Sequence, residues 1–140
     1  MGADTGKRVA VIGSGPAGAQ AAIDIRKAGH NVTIYERSRK AGGMLQTGIP
    51  AYRLPRKVLD HEYTYLDKLG IRFQFGTDIG TDLSFENLQK ENDAVLIAVG
   101  AQQGSIVPVP GSDADGVFSA LDFLREISRS GTFEKAGNVL

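Results

Sequence analysis

The sequence predicts an α/β fold built on a parallel sheet, and three observations carry that expectation. Short β-rich apolar runs alternate with longer segments of helical periodicity along the chain. Two of those runs, "KRVAVIG" and "DAVLIAVG", are almost continuously apolar, the pattern of strands buried on both faces. The stretch "GSGPAG" falls between the first strand and the first helix, where the chain must turn tightly.

The first strand is expected over Lys7–Gly13. A helix follows over Pro16–Ala28, alanine-rich and apolar at Ala19, Ala22, Ile23 and Ile25, with Gly29 placed to end it. "NVTIYE", Asn31–Glu36, is the second strand, and the three pieces span about thirty residues, the size of a βαβ unit with a right-handed crossover. The next stretch, "AGGMLQTGIPAYRLP" from Ala41 to Pro55, is too long for a simple connection, and long ordered loops in compact domains are usually functional. Pro55 suits the first turn of a helix running to Leu69, with Val58, Leu59, Tyr63, Leu66 and Leu69 along one side, and Gly70 stops it. Ile71–Phe75 alternates as a strand does, "SFENLQKE" is a short helix capped by Ser84, and Asp93–Gly100 is another strand buried on both faces. After a proline-rich connection, "SALDFLREISRSG" forms a helix with Ser119 as its cap, and "AGNVL" reads as the opening of a further strand, so the chain reads as a fragment.

Composition removes several functional classes. Sixteen basic residues balance sixteen acidic ones, which speaks against nucleic acid and against an anionic membrane surface. No apolar stretch approaches the roughly 20 residues of a membrane helix. "MGADTGKR" has no signal-peptide core, and Gly6 breaks the myristoylation pattern, so a cytoplasmic location is expected. The absence of cysteine excludes a disulfide framework, a redox dithiol and any Cys-ligated zinc or iron–sulfur cluster within this chain. Histidine occurs only at His30 and His61, so no metal site is expected, and His30 reads as a solvated turn residue.

In Gly13–Ser14–Gly15–Pro16–Ala17–Gly18 each glycine has a mechanical role. Gly13 permits the turn, Gly15 lets the backbone approach a pyrophosphate, and Gly18 lets the helix pack closely on the strand. The helix N-terminus offers unpaired N–H groups and about half a positive charge to phosphates. Glu36 ends the second strand 18 residues after Gly18, where a carboxylate can accept both hydroxyls of an adenosine ribose and would repel a 2′-phosphate. A ligand-free structural turn is the alternative at this point. Dinucleotide binding is the reading the spacing favours, with FAD and NAD sharing the adenosine-pyrophosphate half; the glycine-bearing loop at Gly42–Pro55 favours FAD.

Beyond these patterns, "KRVAVIGSGPAGAQAA", "YERSRKAGGMLQTGIPAYRLPRKVLDHEYTYLDKLG", "DAVLIAVGA" and "PGSDADGVFSALDFL" together resemble the FAD-binding part of the glutamate synthase small (beta) subunit family. That family belongs to the pyridine-nucleotide-disulfide-oxidoreductase-like flavoproteins, with relatives in the flavin region of dihydropyrimidine dehydrogenase and in electron-bifurcating transhydrogenase subunits. The likeness covers nearly the whole chain, and "GIPAYRLP" at its distance from the Gly42–Gly43 pair is its most specific part.

The resemblance implies a Rossmann-like FAD-binding domain over residues 7–134, preceded by a disordered N-terminus over 1–6 and followed at 135–140 by the start of an NAD(P)-binding domain. It implies that Gly13–Gly18, Glu36 and the adjoining Arg37 hold the adenosine half of FAD, and that Gly43 and Met44 lie against the cofactor. It places Arg53 in contact with FAD, Ile79 on the adenine through its backbone, and the turn Ala98–Val99–Gly100 along the pyrophosphate. Met44 stands where the family often has Leu, and "AVG" replaces "ATG". Family members continue into an NAD(P)H domain, then return with a segment that embraces the flavin ring, and many carry a separate iron–sulfur domain. The implied function is passage of electrons from NAD(P)H through FAD to an iron–sulfur partner or large catalytic subunit, with no catalytic side chain required. A plain NAD-binding dehydrogenase domain and a non-catalytic nucleotide- or partner-binding module are the competing readings.

Overall fold

Four strands, β1 (Arg8–Ile12), β2 (Asn31–Glu36), β3 (Arg72–Phe75) and β4 (Ala94–Ile97), form one parallel sheet in the order β3-β2-β1-β4. Five helices accompany them: α1 (Pro16–Lys27), α2 (Met44–Thr47), α3 (Arg56–Lys68), α4 (Phe85–Glu91) and α5 (Ala120–Ser130). This is a computed structural model, and it describes residues 1–131. The expected strand in "AGNVL" lies outside the described residues.

The alternation of side chains along β1 divides the core into two layers. Val11 packs with Ala19, Ala22, Val32, Ile34, Leu66 and Ile71 beneath α1 and α3, whereas Ala10 and Ile12 pack with Leu88 of α4 on the opposite face. Val9 to Ile12 are therefore all buried, as the continuous apolar run predicts for a central parallel strand. Full burial of one such side chain contributes about 1.5–3 kcal/mol. Truncating Ile34, which is wholly enclosed, would cost about 2–5 kcal/mol because a cavity remains.

Helix boundaries follow the local chemistry. Gly15 is the extended N-cap of α1 and Pro16 its first residue, and Gly29, at φ +100°, turns the chain out of the helix into β2. Ser84 caps α4 through its hydroxyl, which accepts from the Asn87 N–H at 3.2 Å. On α3, Leu59 and Leu66 are buried, but Val58 is half-exposed.

Three expectations need correction. The loop Ala41–Pro55 contains the single-turn helix α2, too short to show a period in sequence. β4 is not buried on both faces: among the described residues it is the edge of the sheet, and Ile97 is 61% exposed. Ser119 occupies the N-cap of α5, but its side chain makes no capping hydrogen bond there. Residues 1–6 form no helix or strand and run along the α1–β2 turn. Gly2 N–H donates to Lys27 O at 2.6 Å, Thr5 N–H to Gly29 O at 3.0 Å, and Thr5 Oγ1 lies 2.6 Å from His30 Nδ1. His30 is thus partnered in that turn.

Candidate dinucleotide site

The chain runs from β1 to β2 to β3 on one side and returns to β4 on the other. Parallel sheets open a crevice at the carboxyl ends of the strands where the order reverses. Here that crevice is a cleft of about 730 Å³ between the ends of β1, β2 and β4 and the segment carrying α2, within the usual size range of ligand sites.

The three glycines of the β1–α1 turn are constrained by different things. Gly13 has φ +101°, and a Cβ added there would lie 2.5 Å from the Ala98 carbonyl oxygen of the β4 turn. A Cβ on Gly18 would run into the Gly13 carbonyl oxygen, so this residue sets the approach of α1 to the strand. Gly15 is unlike both. Its φ of −64° is open to any residue, and a Cβ there would meet no protein atom within 4 Å. Neither the backbone nor the packing requires glycine at position 15, and Gly15 lies on the cleft wall.

Ser14 joins this turn to three other elements. Its side chain and backbone are fully buried, and both its N–H (3.0 Å) and its Oγ–H (2.6 Å) donate to Glu36 Oε2 at the end of β2. Glu36 itself is only 7% exposed, and its Oε1 accepts the Ser38 N–H at 2.8 Å. Gly42 N–H donates to both Ser14 O and Ser14 Oγ at 3.2 Å, which brings the segment before α2 against the turn. Tyr63 of α3 donates its hydroxyl to Ser14 O at 2.6 Å. Burial first, and the Glu36 carboxylate second, push the Tyr63 phenol up to about 12.

The cleft gathers most of the residues singled out in the sequence: residues 13–17, Glu36, Arg37, Gly43, Met44, Ile79, Ala98 and Gly100. Gly18 lies behind the wall in its packing role. Arg53 does not line the cleft; it is exposed in the turn after Pro50, with its N–H donating to Pro50 O at 2.9 Å.

Sequence reasoning missed the basic rim. Arg39, Arg125 and Arg129 join Arg37 around the cleft, against the two carboxylates of Glu36 and Asp78. Gln102 Oε1 accepts from Arg125 at 2.7 Å and from Arg37 at 3.4 Å, linking α5 to the end of β2. The four-residue spacing of Arg125 and Arg129 on one helix was the available signal. This excess of cations, added to the N-terminus of α1, suits an anionic ligand. Among the described residues there is no group of three or more His, Asp or Glu side chains placed to hold a metal, and no helix long and apolar enough to cross a membrane.

A parallel sheet with a glycine turn, a helix N-terminus and a strand-end carboxylate around one crevice defines a dinucleotide-binding domain of the Rossmann type. Residues 7–132 match the pyridine nucleotide-disulphide oxidoreductase family, and the chain belongs to it.

The glutamate synthase (NADPH) small chain of Mycobacterium tuberculosis is 42% identical over 120 residues, 86% of this chain and 25% of that protein. The NAD-dependent dihydropyrimidine dehydrogenase subunit PreT of Escherichia coli K12 is 42% identical over 118 residues, 84% of this chain and 28% of that one. Among solved structures, Mycobacterium tuberculosis FprA in complex with NADPH superposes with a TM-score of 0.77 at 26% identity, covering 85% of this chain and 28% of FprA. The chain thus spans about a quarter of the length of these relatives.

Proposed function

We propose that the chain is the FAD-binding portion of an NAD(P)H-dependent flavoprotein oxidoreductase, and that its cleft holds the adenosine-diphosphate half of FAD. The observation that carries this reading is Gly15. It is a glycine that the protein's own backbone and packing do not need, at the N-cap of a helix, facing a cleft that a side chain there would begin to fill. A pyrophosphate at that point would meet the first N–H groups of α1 and the field of the arginine rim. Glu36 lies at the ribose end, Gly43 and Met44 close the site from the α2 side, and Ile79 stands beside the base. When bound, FAD supplies the capacity to accept two electrons together and release them singly.

FAD is favoured over NAD by the α2 segment, which Gly42 and Gly43 bring against the glycine turn; a Cβ on Gly43 would come within 3.0 Å of Gly15 Cα. NAD(P)H is the proposed electron donor of the longer protein. The relatives are named as a small chain and as subunits, which supports a partner subunit. The lack of cysteine assigns any iron–sulfur cluster to another polypeptide or another part of the protein. Arg53, exposed in the turn that follows α2, is proposed to contact FAD, as the family resemblance implies.

Titration of the purified chain with FAD, followed by flavin fluorescence, tests the reading. Saturable binding that ADP displaces is expected, and Gly15→Val should abolish it while circular dichroism stays unchanged. Undiminished affinity in the variant would remove the phosphate from this turn.

A further inference from the structure

Two elements of the cleft wall are too short to hold themselves in place. α2 has four residues and α5 eleven, and helices shorter than about 12 residues are marginal without tertiary contacts. Neither has a fully buried residue; α5 offers the half-buried Leu121, Leu124 and Ile127. One side chain outside the cleft reaches both helices. Arg56 opens α3, which is fixed to the core by the buried Leu59 and Leu66. Its Nη1 donates to Leu45 O at 2.9 Å, and its Nη2 to Ile49 O at 3.0 Å and to Ser128 Oγ at 3.3 Å. The Ser128 hydroxyl donates onward to Thr47 O at 3.2 Å. Carbonyls at the C-terminal end of α2, which a helix leaves without partners of its own, are thus shared between α3 and α5.

Resting on the proposed dinucleotide site, we propose that Arg56 is a positioning residue: by clasping α2 to α5 it sets the α2 wall of the cleft and the Arg125–Arg129 rim relative to each other. Met44 and Thr47 of α2 and Arg125 and Arg129 of α5 line the cleft, whereas Arg56 does not. Arg56 pairs with no carboxylate among the described residues, so its donors are committed to the two carbonyls and the Ser128 hydroxyl. A planar guanidinium meets these acceptors in fixed directions that a single ammonium cannot reproduce. Gln102 ties Arg125 separately; the clasp acts one turn further along α5, beside Arg129.

Hydrogen exchange of the full chain tests the clasp, and calorimetric titration with ADP over a range of salt tests its effect on the site. In Arg56→Lys, which keeps the charge and loses the fork, α5 amides should exchange about tenfold faster while those of β1 and β2 stay unchanged. ADP should bind roughly fivefold more weakly, with a shallower dependence on salt because the rim cations no longer converge on its phosphates. Ser128→Ala should shift both readings in the same direction and by less, and it decides the matter if circular dichroism shows Arg56→Lys unfolded. A merely structural role for Arg56 would lower the urea midpoint and leave the salt dependence of ADP binding as it is, and that outcome would overturn the proposal. So would unchanged exchange in α5, with the nucleotide site still standing. Failure of ADP to bind the unaltered chain would overturn the site and the positioning role together, whatever α5 does.

Discussion

At the scale of single residues, Tyr63 provides the most accessible test of the polar cluster behind the cleft. Its phenol is raised from 10.0 to about 12, by burial and then by the Glu36 carboxylate. The folded state therefore holds the proton more tightly than the unfolded chain does. The associated stability is complete below pH 10 and is lost as the pH rises from 10 toward 12. An ultraviolet titration should show one of the four tyrosines ionising near pH 12, and Tyr63→Phe should remove that step. The substitution should also lower stability by about 1 kcal/mol, the net worth of one hydrogen bond, with Gly42 still satisfying the Ser14 carbonyl. An unchanged titration curve in Tyr63→Phe would show that the shifted phenol lies elsewhere.

At the scale of elements, the β1–α1 junction separates glycines that the packing requires from one that it leaves free for the proposed ligand. Gly18→Ala should destabilise the protein by about 1–3 kcal/mol, since its Cβ meets a backbone carbonyl that the strand holds in place. Gly15→Ala should leave the urea midpoint nearly unmoved and weaken FAD binding instead. Equal midpoints for the two variants would contradict the packing described for α1. The sequence made the outline of this junction legible because glycine spacing, strand periodicity and a strand-end carboxylate are all local signals. It separates Gly15 from Gly18 by motif position alone, whereas the contacts behind that division, the Gly13 carbonyl and the Ala98 side chain that crowd Gly18, are visible only in the fold. β2 fell on the residues expected, whereas β4 was read as doubly buried. Its apolar run is the same whether a strand sits in the middle of a sheet or, as here, at the edge. Arg125 and Arg129 were passed over because only the docking of α5 beside α2, through Ser128 Oγ donating to Thr47 O at 3.2 Å, turns them toward the cleft.

At the scale of the whole molecule, the proposed site engages mainly the nucleotide half of its ligand. The glycine turn, Glu36, Ile79 and the arginine rim all serve the adenosine and its phosphates in the proposed site, and the chain covers 25% to 28% of the relatives above. A ligand held at one end still loses its translational freedom and gains little from the other end. The 140-residue chain should therefore bind ADP about as tightly as FAD. Competition between the two on the isolated chain measures the ratio directly. An advantage for FAD of several decades would mean that these residues also complete the flavin-ring site.

The strand order carries a consequence for how the protein assembles. Val9 pairs with Val32, 23 residues on (32 − 9), and on its other side with Ala94, 85 residues on (94 − 9). Closing the second loop costs about 1 kcal/mol more chain entropy than closing the first. As the polypeptide leaves the ribosome, β1, α1 and β2 can pair early, and α3 and β3 can extend the sheet outward. Of the four described strands β4 emerges last, and it adds to a ready edge, so none of them has to be threaded between two others. The Ala98 turn that backs Gly13 comes with it, and the cleft acquires its second wall at that step, before α5 adds Arg125 and Arg129 to the rim.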